Sequence, residues 1–178
     1  MTIIIEYPFF LQVLLQNGLG RLSTLIDTNF WSIGFLNHLK SKLVFEKKDA
    51  AKRAMEEKEA NKLRESQAKK VAEFVRKRFS GDLFDTEDFV IVGDFNDTPD
   101  SPHLKKLVKE LGMVDVISSS FTRKEDKWTY YWASENAITQ IDYILLSPHL
   151  AKNSTKLPYI ERRGISNAKV ENLMQPIP

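Results

Sequence analysis

The stretch FVIVGDFNDTPDSPHLKKL, Phe89 to Leu107, decides how this chain is read. Phe89, Val90, Ile91 and Val92 form a continuous apolar run, short enough for a strand buried on both faces and therefore central in a sheet. It ends abruptly in Asp94, Asn96 and Asp97. Ser101 then has the character of an N-cap, with Pro102 at the first helical position. Leu104, Leu107, Val108 and Leu111 follow at helical spacing until Gly112 stops the helix. The local order is strand, polar loop, helix.

Asp94 and Asn96 are two apart at the carboxyl end of the strand, so extended backbone would project both side chains from one face. A carboxylate and an amide side by side suit a phosphodiester. The acid accepts from an attacking water or binds a hard cation, and the amide donates to a phosphate oxygen. An ordinary Asx-turn explains the same two residues equally well. Spacing alone leaves both readings open.

Outward from this stretch, three further elements are legible. In WSIGFLNHL, Trp31, Ile33 and Phe35 alternate with Ser32 and Gly34 as in a strand that runs into His38. In WTYYW, Trp128, Tyr130 and Trp132 face away from Thr129 and Tyr131. In QIDYILL, Ile141, Tyr143 and Leu145 oppose Asp142, Ile144 and Leu146, and Ser147-Pro148 closes the strand. Asp142 is thus a charge inside an apolar strand, and such a charge is costly without a partner.

Between Lys47 and Phe79 the chain is rich in Ala, Glu, Lys and Arg and has no Gly or Pro. Pairs such as Glu65/Lys69 and Glu73/Lys77 sit at helical spacing, and Leu63, Val71, Phe74 and Val75 are expected to share a buried stripe. The charge reads as the solvated face of a surface helix, and the first half is apolar-poor enough to be a loop.

The 178 residues fit one domain better than two, and 42% apolar with 28% charged residues is ordinary for a globular chain. A net charge of +2 gives no reason to infer a large basic nucleic-acid-binding surface. The absence of cysteine excludes disulfides, a thiolate nucleophile and thiolate zinc sites. The apolar opening MTIIIEYPFFLQVLL is interrupted by Glu6 and Pro8 and has no preceding positive charge. It reads as a core strand or helix rather than a signal peptide or membrane span. A cytoplasmic location is slightly favoured over secretion.

GDFNDTPDSP after an apolar strand resembles the metal-dependent endonuclease/exonuclease/phosphatase superfamily. Two further stretches resemble it in the same order: NHLKSK, Asn37 to Lys42, and QIDYILLSP, Gln140 to Pro148. The resemblance implies an α/β fold, a partial α-β-β-α sandwich of the deoxyribonuclease-like type, over residues 31–165. Residues 1–30 do not match the family, and 166–178 form a tail. It further implies a magnesium-dependent phosphodiester or phosphomonoester hydrolase. Asp94 would orient or activate water and hold the metal, Asn96 would hold the scissile phosphate, and His38 would contact that phosphate. Asp142 would stand behind a general-base histidine.

The resemblance stops short at both ends. Members carry a late Ser-Asp-His motif, whereas the histidines here are His38, His103 and His149, none preceded by Asp. The latter two read as surface residues. Glu6 lies too near His38 to be the family's metal-binding Glu, and Leu36 stands where members often have Asn. The expectation is a truncated, weakly active or inactive hydrolase acting on a phosphate ester of nucleic acid, phospholipid headgroup or sugar phosphate. It would be prone to self-association through unpaired strand edges. The alternative is a non-catalytic remnant that binds a phosphate-bearing ligand or a protein partner. A third reading is an interaction protein built around the long helix.

Overall fold

A computed structural model describes residues 2–6, 10–14, 33–39, 41, 49–132, 136–154 and 158–161. Trp31 and Ser32, Lys40, the stretch 42–48, and residues 162–178 figure in the expectations above but lie outside the described residues.

Phe89–Asp94 (β4) is the central strand expected of its apolar run. It pairs in parallel with Ile33–His38 (β3) and antiparallel with Asp142–Leu146 (β8), which in turn pairs with the short Val114–Asp115 (β5). The resulting order is β3-β4-β8-β5. Parallel neighbours need a long crossover, and the helix Ala50–Arg78 (α1) supplies it.

One face of this sheet presents Phe89, Ile91, Tyr143 and Leu145 to Ala68, Ala72 and Val75 of α1 and to Leu104 and Leu107 of Pro102–Glu110 (α3). The other face presents Val90, Val92, Ile144 and Leu146, and packs against Ile160 of Tyr159–Glu161 (β9). The alternation read in QIDYILL thus divides the two faces as expected. The strand β9 pairs with Thr2–Glu6 (β1), which pairs with Phe10–Leu14 (β2), so the apolar opening forms a β-hairpin. A helix layer, a central sheet and a second strand layer make the α/β partial sandwich. Short helices punctuate it: Leu83–Thr86 (α2), Val116–Ser120 (α4), Lys124–Lys127 (α5) and Pro148–Asn153 (α6). A small hairpin, Tyr130–Trp132 (β6) with Ala137–Thr139 (β7), precedes β8.

The caps follow the sequence. Ser101 Oγ accepts from the Leu104 N–H at 3.2 Å and Ser147 Oγ from the Leu150 N–H at 3.3 Å. Gly112, at φ +58, takes the left-handed conformation that ends α3. The Pro at 148 therefore begins a helix as well as closing β8.

Helix α1 corrects two expectations. Its first half is helical, capped by the Asp49 side chain, which accepts from the Ala51 N–H at 3.0 Å. Its buried stripe is Ala60, Arg64, Ala68, Ala72 and Val75, whereas Leu63 is 46% and Phe74 60% exposed and Val71 is half-buried. Alanines four apart form a low ridge that lets α1 approach α3 and the sheet closely, so phase outweighs side-chain size. The Arg76 guanidinium donates to the Glu110 carbonyl and ties the two helices together. Of the anticipated charge pairing, the ladder shows Lys69 with Glu73 at 3.8 Å instead.

No helix among the described residues is long and apolar enough to cross a membrane.

Candidate active site

The parallel register of β3 and β4 places His38 opposite Asp94, and the antiparallel register of β4 and β8 places Asp94 opposite Asp142. Three polar side chains from distant parts of the chain therefore end on one sheet edge. In β4 the buried run Phe89–Val92 and Gly93 end at the half-buried Asp94, which emerges at the rim.

The His38 Nε2 lies 4.0 Å from Asp94 Oδ2, with side chains 75% and 32% exposed. Such an open pair contributes little to stability. Gly93 precedes Asp94 at φ 149, a backbone region that favours glycine, and this accounts for the Gly of GDFN. The ladder then continues irregularly: the Leu39 N–H donates to the Asp94 carbonyl at 2.9 Å and the Phe95 N–H to the Ile141 carbonyl at 2.8 Å.

Asn96 departs from the extended geometry assumed for it. It sits at φ 49, its N–H donates to Asp94 Oδ1 at 2.8 Å, and its Nδ2 donates to the Leu39 carbonyl at 3.0 Å. The Asx-turn is therefore real. It also clamps the loop to the end of β3, next to His38. One amide proton serves that clamp, and a primary amide carries a second. Asn96→Ala should cost about 1–2 kcal/mol through left-handed strain and the lost bond. Asn96→Gly should keep the backbone geometry and cost less. Chemical denaturation of the two variants compares them directly, and equal losses would refute the strain component.

Asp142 is buried, and its partner is a residue that sequence reading passed over. The Thr129 hydroxyl oxygen accepts from the N–H groups of Ile141 and Asp142 at 3.0 and 3.1 Å. The same side chain favours the charged form of the Asp142 carboxyl. Burial, reinforced by the charge of Asp94, pushes Asp142 up to about 7, with the Thr129 hydrogen bond pulling the other way. Burial also raises Asp94 above the usual carboxylate range, against the Asn96 N–H and the nearby His38. Two carboxylates facing each other across a ladder resist joint ionisation.

Behind the loop lies a second feature that sequence reading missed. Asp97 is buried, its Oδ1 accepts from the Thr98 N–H at 3.1 Å, and its carbonyl accepts from the Tyr143 hydroxyl at 2.9 Å. Arg64 of α1, only 1% exposed, brings Nε to 3.9 Å from Asp97 Oδ2, and its guanidinium also donates to Asn61. An arginine on a stripe of alanines is the sequence signal that such an anchor needed.

His103 and His149 are elsewhere. The former sits on the first turn of α3, and the latter's Nδ1 lies 2.8 Å from Asp88 Oδ1, just before β4 begins and so at the opposite end of that strand.

No group of three or more His, Asp or Glu side chains among the described residues could enclose a metal ion. Magnesium commonly uses one or two carboxylates together with water and phosphate oxygens. The partly exposed Asp94 fits as such a ligand, though not as part of a cage.

An α/β sandwich that gathers these strand-end groups at one rim has the architecture of a phosphoesterase-type domain. The chain belongs to the Endonuclease/Exonuclease/phosphatase family, whose model matches residues 66–162. No curated protein matches it. Among solved structures it is similar to beta toxin from Staphylococcus aureus, at 20% identity over 79% of this chain with a TM-score of 0.41. It is also similar to a double mutant of that toxin with bound magnesium ions, at 23% identity over 71% of this chain with a TM-score of 0.41. The chain spans 43% and 41% of those two proteins.

Proposed function

We propose that the chain carries the phosphate-handling edge of a phosphodiester or phosphomonoester hydrolase, formed by His38, Asp94, Asn96 and Asp142. The observation that carries this reading is the register: β3, β4 and β8 deliver His38, Asp94 and Asp142 side by side. Asp94 accepts a hydrogen bond from the attacking water and orients it. His38, exposed beside it, donates to a phosphate oxygen, and Asn96 offers its second amide proton to the same group. When bound at Asp94, a magnesium ion would polarise the phosphate oxygens as a Lewis acid.

Turnover by this chain is expected to be slow. Neither His103 nor His149 lies at the edge, so neither is placed to pair with Asp142 as a general base. A positioned general base contributes about 10²–10⁴-fold. The same observation favours, as a second reading, a phosphate binder that does not catalyse.

Cleavage of plasmid DNA and of a chromogenic phosphodiester in magnesium, by this chain and by Asp94→Ala, tests the choice. Slow, magnesium-dependent turnover that disappears in the variant is the expected result. Identical rates for the two proteins would overturn the catalytic reading and leave the binder.

A further inference from the structure

The face of α1 turned away from the sheet carries a pattern that neither the core nor the catalytic edge uses. Opposite the buried ridge of Ala60, Arg64, Ala68, Ala72 and Val75, the residues Met55, Glu59, Leu63, Ser66, Lys70 and Phe74 follow one another at steps of 4, 4, 3, 4 and 4. All six are exposed. Steps of three and four keep residues on one side of a helix, so they form a continuous stripe about 28 Å long. Met55, Leu63 and Phe74 are the large apolar side chains that α1 leaves exposed, at 64, 46 and 60%. Apolar residues scattered singly over a surface are ordinary, whereas these three share one stripe with a charge of each sign at mirrored places.

The order of the stripe is its own complement when reversed. About its midpoint, Met55 mirrors Phe74 and Glu59 mirrors Lys70, while Leu63 and Ser66 straddle the centre. An isologous two-fold contact requires a patch that is self-complementary in this sense. Among the described residues neither Glu59 nor Lys70 forms a salt bridge within the chain. At 19 residues in five steps, the stripe advances by more than the 3.6 residues of a helical turn and so winds around α1. Two copies therefore meet along it with their helices crossed, in the class where rows of residues four apart interlock at about −50°. Lys52 and Lys77 extend the mirror with like charges, but the winding carries the stripe away from both and leaves them on opposite flanks of the seam.

We propose that this face of α1 is a homodimer interface, on which a second copy of the chain docks its own α1 antiparallel. Met55 packs against Phe74 of the partner subunit, Glu59 meets the partner subunit's Lys70, and Leu63 meets its own symmetry mate beside the small Ser66. A strip about 28 Å by about 10 Å on each copy is well short of the about 800 Å² per partner of a standard interface. The dimer is accordingly weak, with a Kd on the order of 0.1 mM. Because the strip faces away from the sheet, the catalytic edge stays open in the dimer and the proposal does not depend on the activity.

Sedimentation equilibrium of the full chain between about 10 µM and 1 mM should show monomer passing to dimer. Glu59→Lys and Lys70→Glu should each weaken association about tenfold, since the two-fold axis sets every such change against a like charge twice. Glu59→Lys/Lys70→Glu exchanges the signs and should restore the original Kd. All three variants lie on the solvent side of α1, and circular dichroism verifies that they fold. The chain has no cysteine, so register is read directly: Leu63→Cys, beside the two-fold axis, should oxidise to a disulfide dimer much faster than Glu65→Cys, which is exposed but off the stripe. A chain that stays monomeric to 1 mM, a dimer indifferent to the single charge reversals or not restored by the exchange, or equal oxidation of the two cysteine variants would each overturn the proposal. A dimer paired through strand edges would give that indifference to charge.

Discussion

Asp142→Asn should make this chain more stable above pH 7 and flatten the dependence of its stability on pH. The carboxyl titrates at about 7 in the fold against an ordinary value of 3.8. The folded state therefore binds more protons than the unfolded state between these limits, and stability falls as pH rises through that window. The decline attributable to this group is at most on the order of 4 kcal/mol. Below about pH 4 the carboxyl is protonated in both states, and the full stability is present. An amide at 142 can still accept from the Thr129 hydroxyl and removes the repulsion with Asp94. Burial raises Asp94 and Asp115 as well, so some decline of the same sign should persist in the variant. Urea denaturation at pH 4.5 and pH 8 measures the difference. An unchanged gap between the two pH values would show that Asp142 does not drive it.

Arg64→Met should destabilise the chain by about 3–5 kcal/mol, because it removes the cation that lies 3.9 Å from the buried carboxylate of Asp97. Burial presses the guanidinium pKa below its ordinary value, against the charges of Asp97 and Glu57, so this pair exists under considerable desolvation. Exchanging both partners, Arg64→Met with Asp97→Asn, should recover most of the loss, since a neutral pair leaves no charge to desolvate. A double-mutant cycle by chemical denaturation gives the coupling directly. A single-variant cost under about 1 kcal/mol would mean that water reaches Asp97 and that α1 does not anchor the loop. Because Asp97 follows Asn96 and its carbonyl receives the Tyr143 hydroxyl, loss of the anchor should also move the Asn96 resonances.

Local sequence carried the elements of this domain whose cause is local. The apolar run before Asp94, the Ser-Pro starts of α3 and α6, the stop at Gly112 and the two-faced pattern of β8 all follow from side chains within a few residues of one another. The stretches NHLKSK, GDFNDTPDSP and QIDYILLSP contain His38, Asp94 and Asp142, and the strand register sets these three residues at neighbouring positions.

Periodicity failed where packing partners choose the face. On α1 it favoured Leu63 and Phe74 as buried, yet the fold turns the alanine ridge inward and buries Arg64 among those alanines. A helix surface rich in alanine and charge carries no dominant apolar stripe, so its orientation depends on what α3 and the sheet can accommodate.

Asn96 shows the same division on the scale of one residue. Its place after a buried strand was legible, but its left-handed backbone and its bond to the Leu39 carbonyl come from a strand more than fifty positions earlier. The partners of Asp142, Asp97 and Gln140 were likewise beyond reach, being Thr129, Arg64 and Asp115 brought in by other elements. Secondary structure answers to short-range sterics and burial patterns that a linear reading samples directly. The pairing of buried polar groups is a long-range requirement, and only the tertiary structure decides which distant side chain meets it.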